Sequence, residues 1–379
     1  MQVSGPTTPA QWREALDKLQ KRHPLLAVSI RGNEKSQPQF YTQADEPIPL
    51  RVQTGSLSDL PHAVTLELQQ RFNSSVGPLA RATLLHQSDT AILLLSLHHS
   101  IADGMAAVYL IRDLMLALSG QEIGVLPTPQ PPQIPALNAE SDATQSPAAT
   151  PPASPTGAKY LKEDAIKPTV DLLQLSPALS KSLRERARKE KTSVHGALLA
   201  AFFLAARERS DQFAGRPVRI SSPINAKPYF GEDESCVLCT SGGNSELDGD
   251  SDSHFWEIVR SAREQLQLST TRDAIFRMYM SMAKVIPQLD VPGAAQLALG
   301  IMQGVFMTNV GEAPFDPDFG ALRLEAIWGP AIIHGIEDNQ MMGVASVKDR
   351  GICLAYTSYS PISDLLEGME AVLAEAVRL

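Results

Sequence analysis

Residues 127 to 157 constrain every fold this chain can adopt. Pro, Ala, Ser, Thr and Gln dominate the stretch from Pro127 to Gly157, which includes Pro-Gln-Pro-Pro and Pro-Ala-Ala-Thr-Pro-Pro-Ala-Ser-Pro. Such a composition cannot bury enough apolar surface to offset the entropy of ordering, and it reads as polyproline II with loose segments. Any core must therefore come from the flanking pieces. The sequence divides into a first lobe over 1–125, a crossover linker over 126–158 and a second lobe over 159–379. Each piece has the size of an ordinary domain or lobe.

The bulk numbers narrow the class. With 43% hydrophobic and 20% charged residues the chain is globular. A net charge of −9 excludes a general nucleic-acid binder, which needs a basic surface. Three cysteines give no disulfide framework and fit a reducing compartment. No run approaches the ~18 apolar residues of a membrane span, and the N-terminus lacks signal-peptide architecture. The expectation is a cytoplasmic monomer.

Both pieces alternate helix and strand patterns. Thr8, Pro9 and Gln11 form a capping box ahead of a helix whose Trp12, Leu16 and Leu19 share a face, and His23-Pro24 stops it. A strand is expected over Leu25 to Ile30, a helix over Leu60 to Phe72, and a hairpin of Leu79 to Leu85 with Ala91 to Leu97. A helix follows Gly104. The second piece predicts a strand over Thr169 to Leu175, a basic helix after Ser176-Pro177 and an apolar helix over Val194 to Ala206. Further strands are expected at Val218 to Ile224, Cys236 to Ser241, Val305 to Val310, Leu322 to Trp328, Met341 to Val347 and Ile352 to Thr357. Helices are expected at Phe255 to Leu268 and Leu365 to Leu379. The fold class is α/β, two layered lobes facing each other across a cleft.

The chemistry concentrates in His98-His99-Ser100-Ile101-Ala102-Asp103-Gly104, which lies between the apolar run Ala91 to Leu97 and the next helix. Neighbouring side chains of an extended segment point to opposite faces. One imidazole is therefore structural and the other presented. Three readings stand open. The pair could be a hydrogen-bonded cap on the strand; a metal site, for which no further ligand cluster is adjacent; or a general base. Cys236-Val-Leu-Cys239 is a lone CxxC in strand-like sequence, without the second pair a zinc site needs. His195 lies in the apolar helix and reads as a hydrogen-bonded core residue. The Met- and Leu-rich region 276–307 could line an apolar tunnel, and a packed helix core is the preferred reading.

The histidine run resembles the HHxxxDG motif of the acyltransferase superfamily that includes chloramphenicol acetyltransferase and nonribosomal peptide condensation domains. Leu19-Gln-Lys-Arg-His-Pro-Leu-Leu26 is similar to that family's RHPxL segment, and Gly77-Pro-Leu-Ala-Arg-Ala82 to its GPLxRA strand start. Val194-His-Gly-Ala-Leu-Leu-Ala-Ala201 is similar to its core helix. Pro223-Ile-Asn-Ala-Lys227 and Thr308-Asn-Val-Gly311 stand where the family has PxNxR and SNxG. The branch most similar is the polyketide-associated phthiocerol dimycocerosyl transferase and alcohol acetyltransferase type. Asp318-Phe319-Gly320 is similar to the DFG of the plant branch, but Ala321 replaces its Trp, and the segment reads as a turn.

The resemblance implies two chloramphenicol-acetyltransferase-like lobes forming a V with a central tunnel. It implies a co-substrate, acyl-CoA or a phosphopantetheine-linked acyl thioester, and no permanently bound cofactor or metal. The acceptor would be a hydroxyl in preference to an amine, and an acyl carrier protein could be the partner; the basic stretch 181–191 reads most simply as a solvated helix face, with docking of an acidic carrier as the alternative. His99 would be the general base, with His98, Asp103 and Gly104 shaping the turn and no acyl-enzyme formed. Asp103 would pair across the lobes with Lys227, where relatives carry Arg. Thr308 and Asn309 would contact the oxyanion. Relatives also begin with a segment containing a complete strand, of which only Met1 to Gly5 remains here. That departure keeps a second hypothesis, a degenerate non-catalytic module that binds a carrier protein or acyl chain.

Overall fold

The computed structural model describes residues 1–33, 36–42, 46–130, 160–161, 167–232, 234–248 and 254–378. Most of the expected linker, 131–158, lies outside the described residues. The first part of the chain forms β1 (Gln2–Ser4), α1 (Pro9–Arg22), β2 (Val28–Asn33), β3 (Ser36–Thr42), β4 (Leu50–Gln53), α2 (Leu60–Gln69), β5 (Ala80–His86), β6 (Thr90–Leu97) and α3 (Gly104–Leu118). After the linker come β7 (Thr169–Gln174), α4 (Pro177–Lys189), α5 (Val194–Arg209), β8 (Val218–Asn225), β9 (Thr240–Leu247), α6 (Phe255–Gln267), α7 (Arg272–Val285) and α8 (Val291–Met302). The chain closes with β10 (Val305–Glu312), β11 (Asp318–Phe319), β12 (Leu322–Ala326), β13 (Gln340–Ser346), β14 (Ile352–Ser358) and α9 (Leu365–Ala376). Among the described residues no helix is long and apolar enough to cross a membrane.

Local chemistry sets the element ends. The Thr8 side chain accepts from the Gln11 N–H, and the Gln11 side chain accepts from the Thr8 N–H at 2.8 Å, so both orphan donors at the start of α1 are satisfied. Trp12, Leu16 and Leu19 are fully buried along one face. The strand expected over Leu25 to Ile30 starts late. Pro24–Ala27 form a 3-10 turn that anchors Leu25 and Leu26 in the core, and β2 begins at Val28. α2 ends before Phe72 because the Arg81 guanidinium takes the carbonyls of Glu67 and Gln70, which would otherwise carry the helix on.

Two six-stranded sheets result, with orders β11-β12-β1-β6-β5-β4 and β7-β14-β13-β10-β8-β9. The first corrects two expectations. The strand expected to be missing is present: Gln2 to Ser4 pair with β6 on one side and β12 on the other, and Val3 is fully buried. The same sheet holds β11 and β12, which belong to the second half of the sequence. Sequence halves and spatial halves therefore differ over Asp318–Ala326. The strand expected over Cys236 to Ser241 begins only at Thr240, since the segment before it is held by side chains.

In the second sheet, β10 and β13 pair in parallel and β13 pairs antiparallel with β14. α5 lies behind it, fully buried along Ala197 to Phe203, against α6 and α9. A helix apolar all round belongs inside a core, and here the periodicity alone placed it. The first core also takes in Cys236, Ala313, Ala345 and Val347, so the two sheets share apolar contacts beneath the cleft.

Candidate active site

β6 ends at Leu97 and the chain turns. The His98 N–H donates to the Leu79 carbonyl at 2.9 Å and the Ile101 N–H to the His98 carbonyl at 3.1 Å. Asp103 caps α3, its Oδ1 accepting the Ala106 N–H at 2.8 Å. The turn separates the two imidazoles, as strand alternation requires. His98 points inward. Its Nδ1 accepts the Ser100 N–H and lies 2.7 Å from Ser100 Oγ, and its ring meets Phe72 edge-on at 5.9 Å. Burial, then the charge of His99, holds His98 below its usual value.

His99 is exposed. Its Nδ1 lies 2.8 Å from the Ala102 carbonyl. A carbonyl oxygen only accepts, so Nδ1 carries the hydrogen and Nε2 carries the lone pair. Among the described residues Nε2 has no hydrogen-bond partner. The turn thus presents an oriented imidazole with Nε2 outward.

Across the cleft, Asp103 Oδ2 accepts the Cys239 N–H at 2.9 Å and lies 3.8 Å from Lys227 Nζ. Lys227 is fully buried. Its ammonium donates to the carbonyls of Ser235 at 2.7 Å and Val237 at 3.0 Å. The Cys236 thiol donates to the Ile101 carbonyl at 3.3 Å. One buried lysine and one carboxylate therefore clamp segment 235–239 against the histidine turn. The CxxC pair is part of this clamp. Burial pushes the Cys236 thiol up to about 12, so it stays protonated and unreactive. Among the described residues no group of three or more His, Cys, Asp or Glu could hold a metal.

β10 supplies the facing wall. A Cβ on Gly104 would sit 2.7 Å from Val310 Cγ1 and 3.9 Å from Thr308 Oγ1. Gly104 is thus explained by close approach of the two lobes, and its backbone needs no unusual angle. Gly104→Ala is expected to cost about 1–3 kcal/mol through overpacking, and adding Val310→Ala should recover most of the loss. Equal unfolding midpoints for wild type and Gly104→Ala would dismiss the contact. Thr308 and Val310 lie on the cleft side, whereas Val305 and Met307 pack into the second core. By alternation Asn309 falls with the latter pair, and its Oδ1 accepts the Gly311 N–H at 2.8 Å. The structure therefore brings Thr308 to the turn and leaves Asn309 on the other face.

Three supporting groups escaped the sequence reading. Arg81 pairs with Glu67 at 2.6 Å and stacks over Phe72 at 4.2 Å, so it props the ring that His98 leans on. Asp113 is fully buried and accepts from Arg22 Nε at 2.6 Å, His23 Nε2 at 2.8 Å and Arg112 Nε at 2.9 Å. Arg112 in turn forks onto Glu234 at 2.7 and 2.9 Å, a second tie between the lobes. The RHP and GPLxRA segments contained Arg22, His23 and Arg81, but their partners lie far away in sequence. His195 Nε2 lies 2.8 Å from Ser222 Oγ, and burial pushes its ring down to about 4, as a core histidine. In the 276–307 region Phe276 and Leu299 are buried, while Met278, Met280 and Met282 are only half-buried.

The Asp113 cluster makes stability fall with acid. Burial lowers the His23 pKa from 6.5, and the Asp113 hydrogen bond only partly opposes it. Burial pushes Asp113 up, but hydrogen bonds from His23, Arg22 and Arg112 more than offset that and hold it below the usual carboxylate range. Both folded values are depressed, so both contributions are whole at neutral pH. The His23 share is lost as pH falls below 6.5, and the Asp113 share below 3.8. The urea midpoint should drop from pH 7 to pH 5, and His23→Gln should flatten that drop. A midpoint independent of pH in this window would contradict the assignment.

Residues 1–132 match the family model described as Condensation domain. Phosphinothricin tripeptide synthetase PhsC of Streptomyces viridochromogenes is 29% identical over 131 residues, 33% of this chain and 12% of that protein. The chain thus spans only a small part of the curated relative it matches. Polyketide synthase associated protein 5 from Mycobacterium tuberculosis superposes with a TM-score of 0.66 at 15% identity, covering 100% of this chain and 92% of that one. SgcC5 from Streptomyces globisporus gives 0.65 at 17% identity, covering 100% and 91%. The N-terminal third matches a condensation-domain sequence model, and the whole chain carries the two-lobed α/β fold of those solved structures.

Proposed function

We propose that the protein is an acyltransferase that moves an acyl group from a CoA or carrier-protein thioester to a hydroxyl acceptor, with His99 as general base. One observation carries this reading: the Ala102 carbonyl fixes the proton on His99 Nδ1 and leaves Nε2 basic, outward and unpartnered among the described residues. In the forward step Nε2 takes the acceptor O–H proton while the oxygen bonds to the thioester carbon. The carbonyl oxygen becomes an oxyanion, for which Thr308 Oγ1 is the donor the cleft face offers. Collapse breaks the C–S bond, and the departing thiolate takes the proton back from Nε2. Acyl transfer in general rests on the superfamily; the preference for hydroxyl over amine rests on the similarity to the polyketide-associated branch.

A non-catalytic carrier-binding module has no use for an oriented lone pair at this turn, and the structure therefore favours catalysis. The deciding experiment is a mass-spectrometric screen of acyl-CoAs against alcohols and amines. Ester products with wild type, absent in His99→Ala, are expected. Amide products would move the acceptor class, and no product with any pair would end the reading.

A further inference from the structure

The chain returning from β12 to β13 crosses the cleft face of the second sheet. The Pro330 carbonyl oxygen lies 1.7 Å from where a Cβ on residue 343 would sit, so only Gly343 lets the backbone lie down there. Gly343 pairs with Thr308 of β10. The Thr357 hydroxyl then pins the strap by donating to the Ile332 carbonyl. Two residues later the His334 ring stands edge-on to Phe306, 5.4 Å between centroids. In the alternation of β10, Phe306 shares the cleft side with Thr308 and Val310, the residues against Gly104 of the histidine turn. The strap thus delivers a second imidazole to the wall that faces His99.

That imidazole is incompletely satisfied. His334 Nδ1 is buried and has no hydrogen-bond partner among the described residues. The ring also meets the Met302 carbonyl. A neutral ring carries one hydrogen, and with that hydrogen on Nε2 the partnerless Nδ1 carries the lone pair. Burial, followed by the charge of nearby His99 and against the Met302 contact, pushes the ring down to about 4. It stays neutral at neutral pH and cannot replace His99 as the proton carrier. Buried polar atoms in folded proteins almost always find a partner, and one left open beside a reactive group points to a ligand atom.

We propose that His334 Nδ1 is a specificity contact of the site: it accepts a hydrogen bond from an N–H or O–H of a bound substrate, beside the atom whose proton goes to His99. This rests on the acyl-transfer reading. Two sources carry that donor chemistry, an amide N–H of the pantetheine arm and a second hydroxyl or amine on the acceptor. A ligand lacking the donor leaves a buried acceptor unpaired, which is how polar sites reject close analogues.

The test compares wild type with His334→Phe, which keeps the ring but removes the acceptor, and His334→Asn, whose amide oxygen replaces Nδ1. Octanoyl-CoA is the donor, with 1,2-octanediol or 1-octanol as acceptor. A tenfold or larger rise in KM for octanoyl-CoA in His334→Phe identifies the pantetheine arm. A tenfold loss of preference for the diol identifies the acceptor. In either case kcat stays within threefold and His334→Asn recovers most of the loss. Values within twofold of wild type in His334→Phe, or equal damage in both variants, overturn the assignment and leave acyl transfer standing. If wild type transfers nothing, the acyl-transfer reading fails by itself. Calorimetry with S-octyl-CoA and 1,2-octanediol then decides His334. A tenfold affinity loss in His334→Phe that His334→Asn recovers sustains the contact; unchanged affinity, or no binding by wild type, ends it.

Discussion

His99→Ala is expected to cut kcat about 10²–10⁴-fold, the usual share of a positioned general base, while donor binding and the unfolding midpoint stay near wild type. The side chain is exposed and makes one hydrogen bond, to Ala102. Its removal opens no cavity and orphans no charge. His98→Ala should show the reverse pattern. That ring packs on Phe72 and organises Ser100, so its loss should lower stability first and activity through the turn. Steady-state kinetics beside urea unfolding separates the two. Full activity in His99→Ala would leave the outward lone pair without a role.

Lys227→Ala should be the most destabilising single change near the site. Removing one member of a buried ionic cluster typically costs about 3–5 kcal/mol, because the remaining groups lose their counter-charge and their donor. Here the losses are the carbonyls of Ser235 and Val237 and the carboxylate of Asp103. The direct ion pair is long at 3.8 Å, and the carbonyl contacts carry more of the effect. Asp103→Asn keeps an oxygen for the Ala106 and Cys239 N–H groups, so it should cost less. In a double-mutant cycle the two changes should couple by about 0.5–3 kcal/mol. Strict additivity would show that Lys227 serves only the backbone of 235–239. Lys227→Arg is not expected to rescue, because a planar fork must fit where a compact ammonium now meets three oxygens.

Much of this was legible along the chain. The capping box at Thr8, the hairpin around Asp89, the all-apolar helix after Ser193 and the histidine turn all rest on contacts within a few residues. Periodicity and caps report such contacts directly. The signals misled where a distant side chain overrode them. Arg81 stops α2 early, and Lys227 holds 235–239 out of the sheet that its apolar residues suggested. His334 gave no signal at all, because its neighbours Phe306 and Met302 are brought to it by the strap across Gly343.

By itself the sequence determined the identity of most helices and strands and the turn that bears His99, since short-range hydrogen bonds and side-chain periodicity are written in consecutive residues. The tertiary structure alone decided that β1 lies between β6 and β12, that Gly104 packs against Val310 and that Asp103 holds the Cys239 N–H. Those outcomes depend on pairing and close approach fixed only when segments more than a hundred residues apart meet, and no local pattern encodes them.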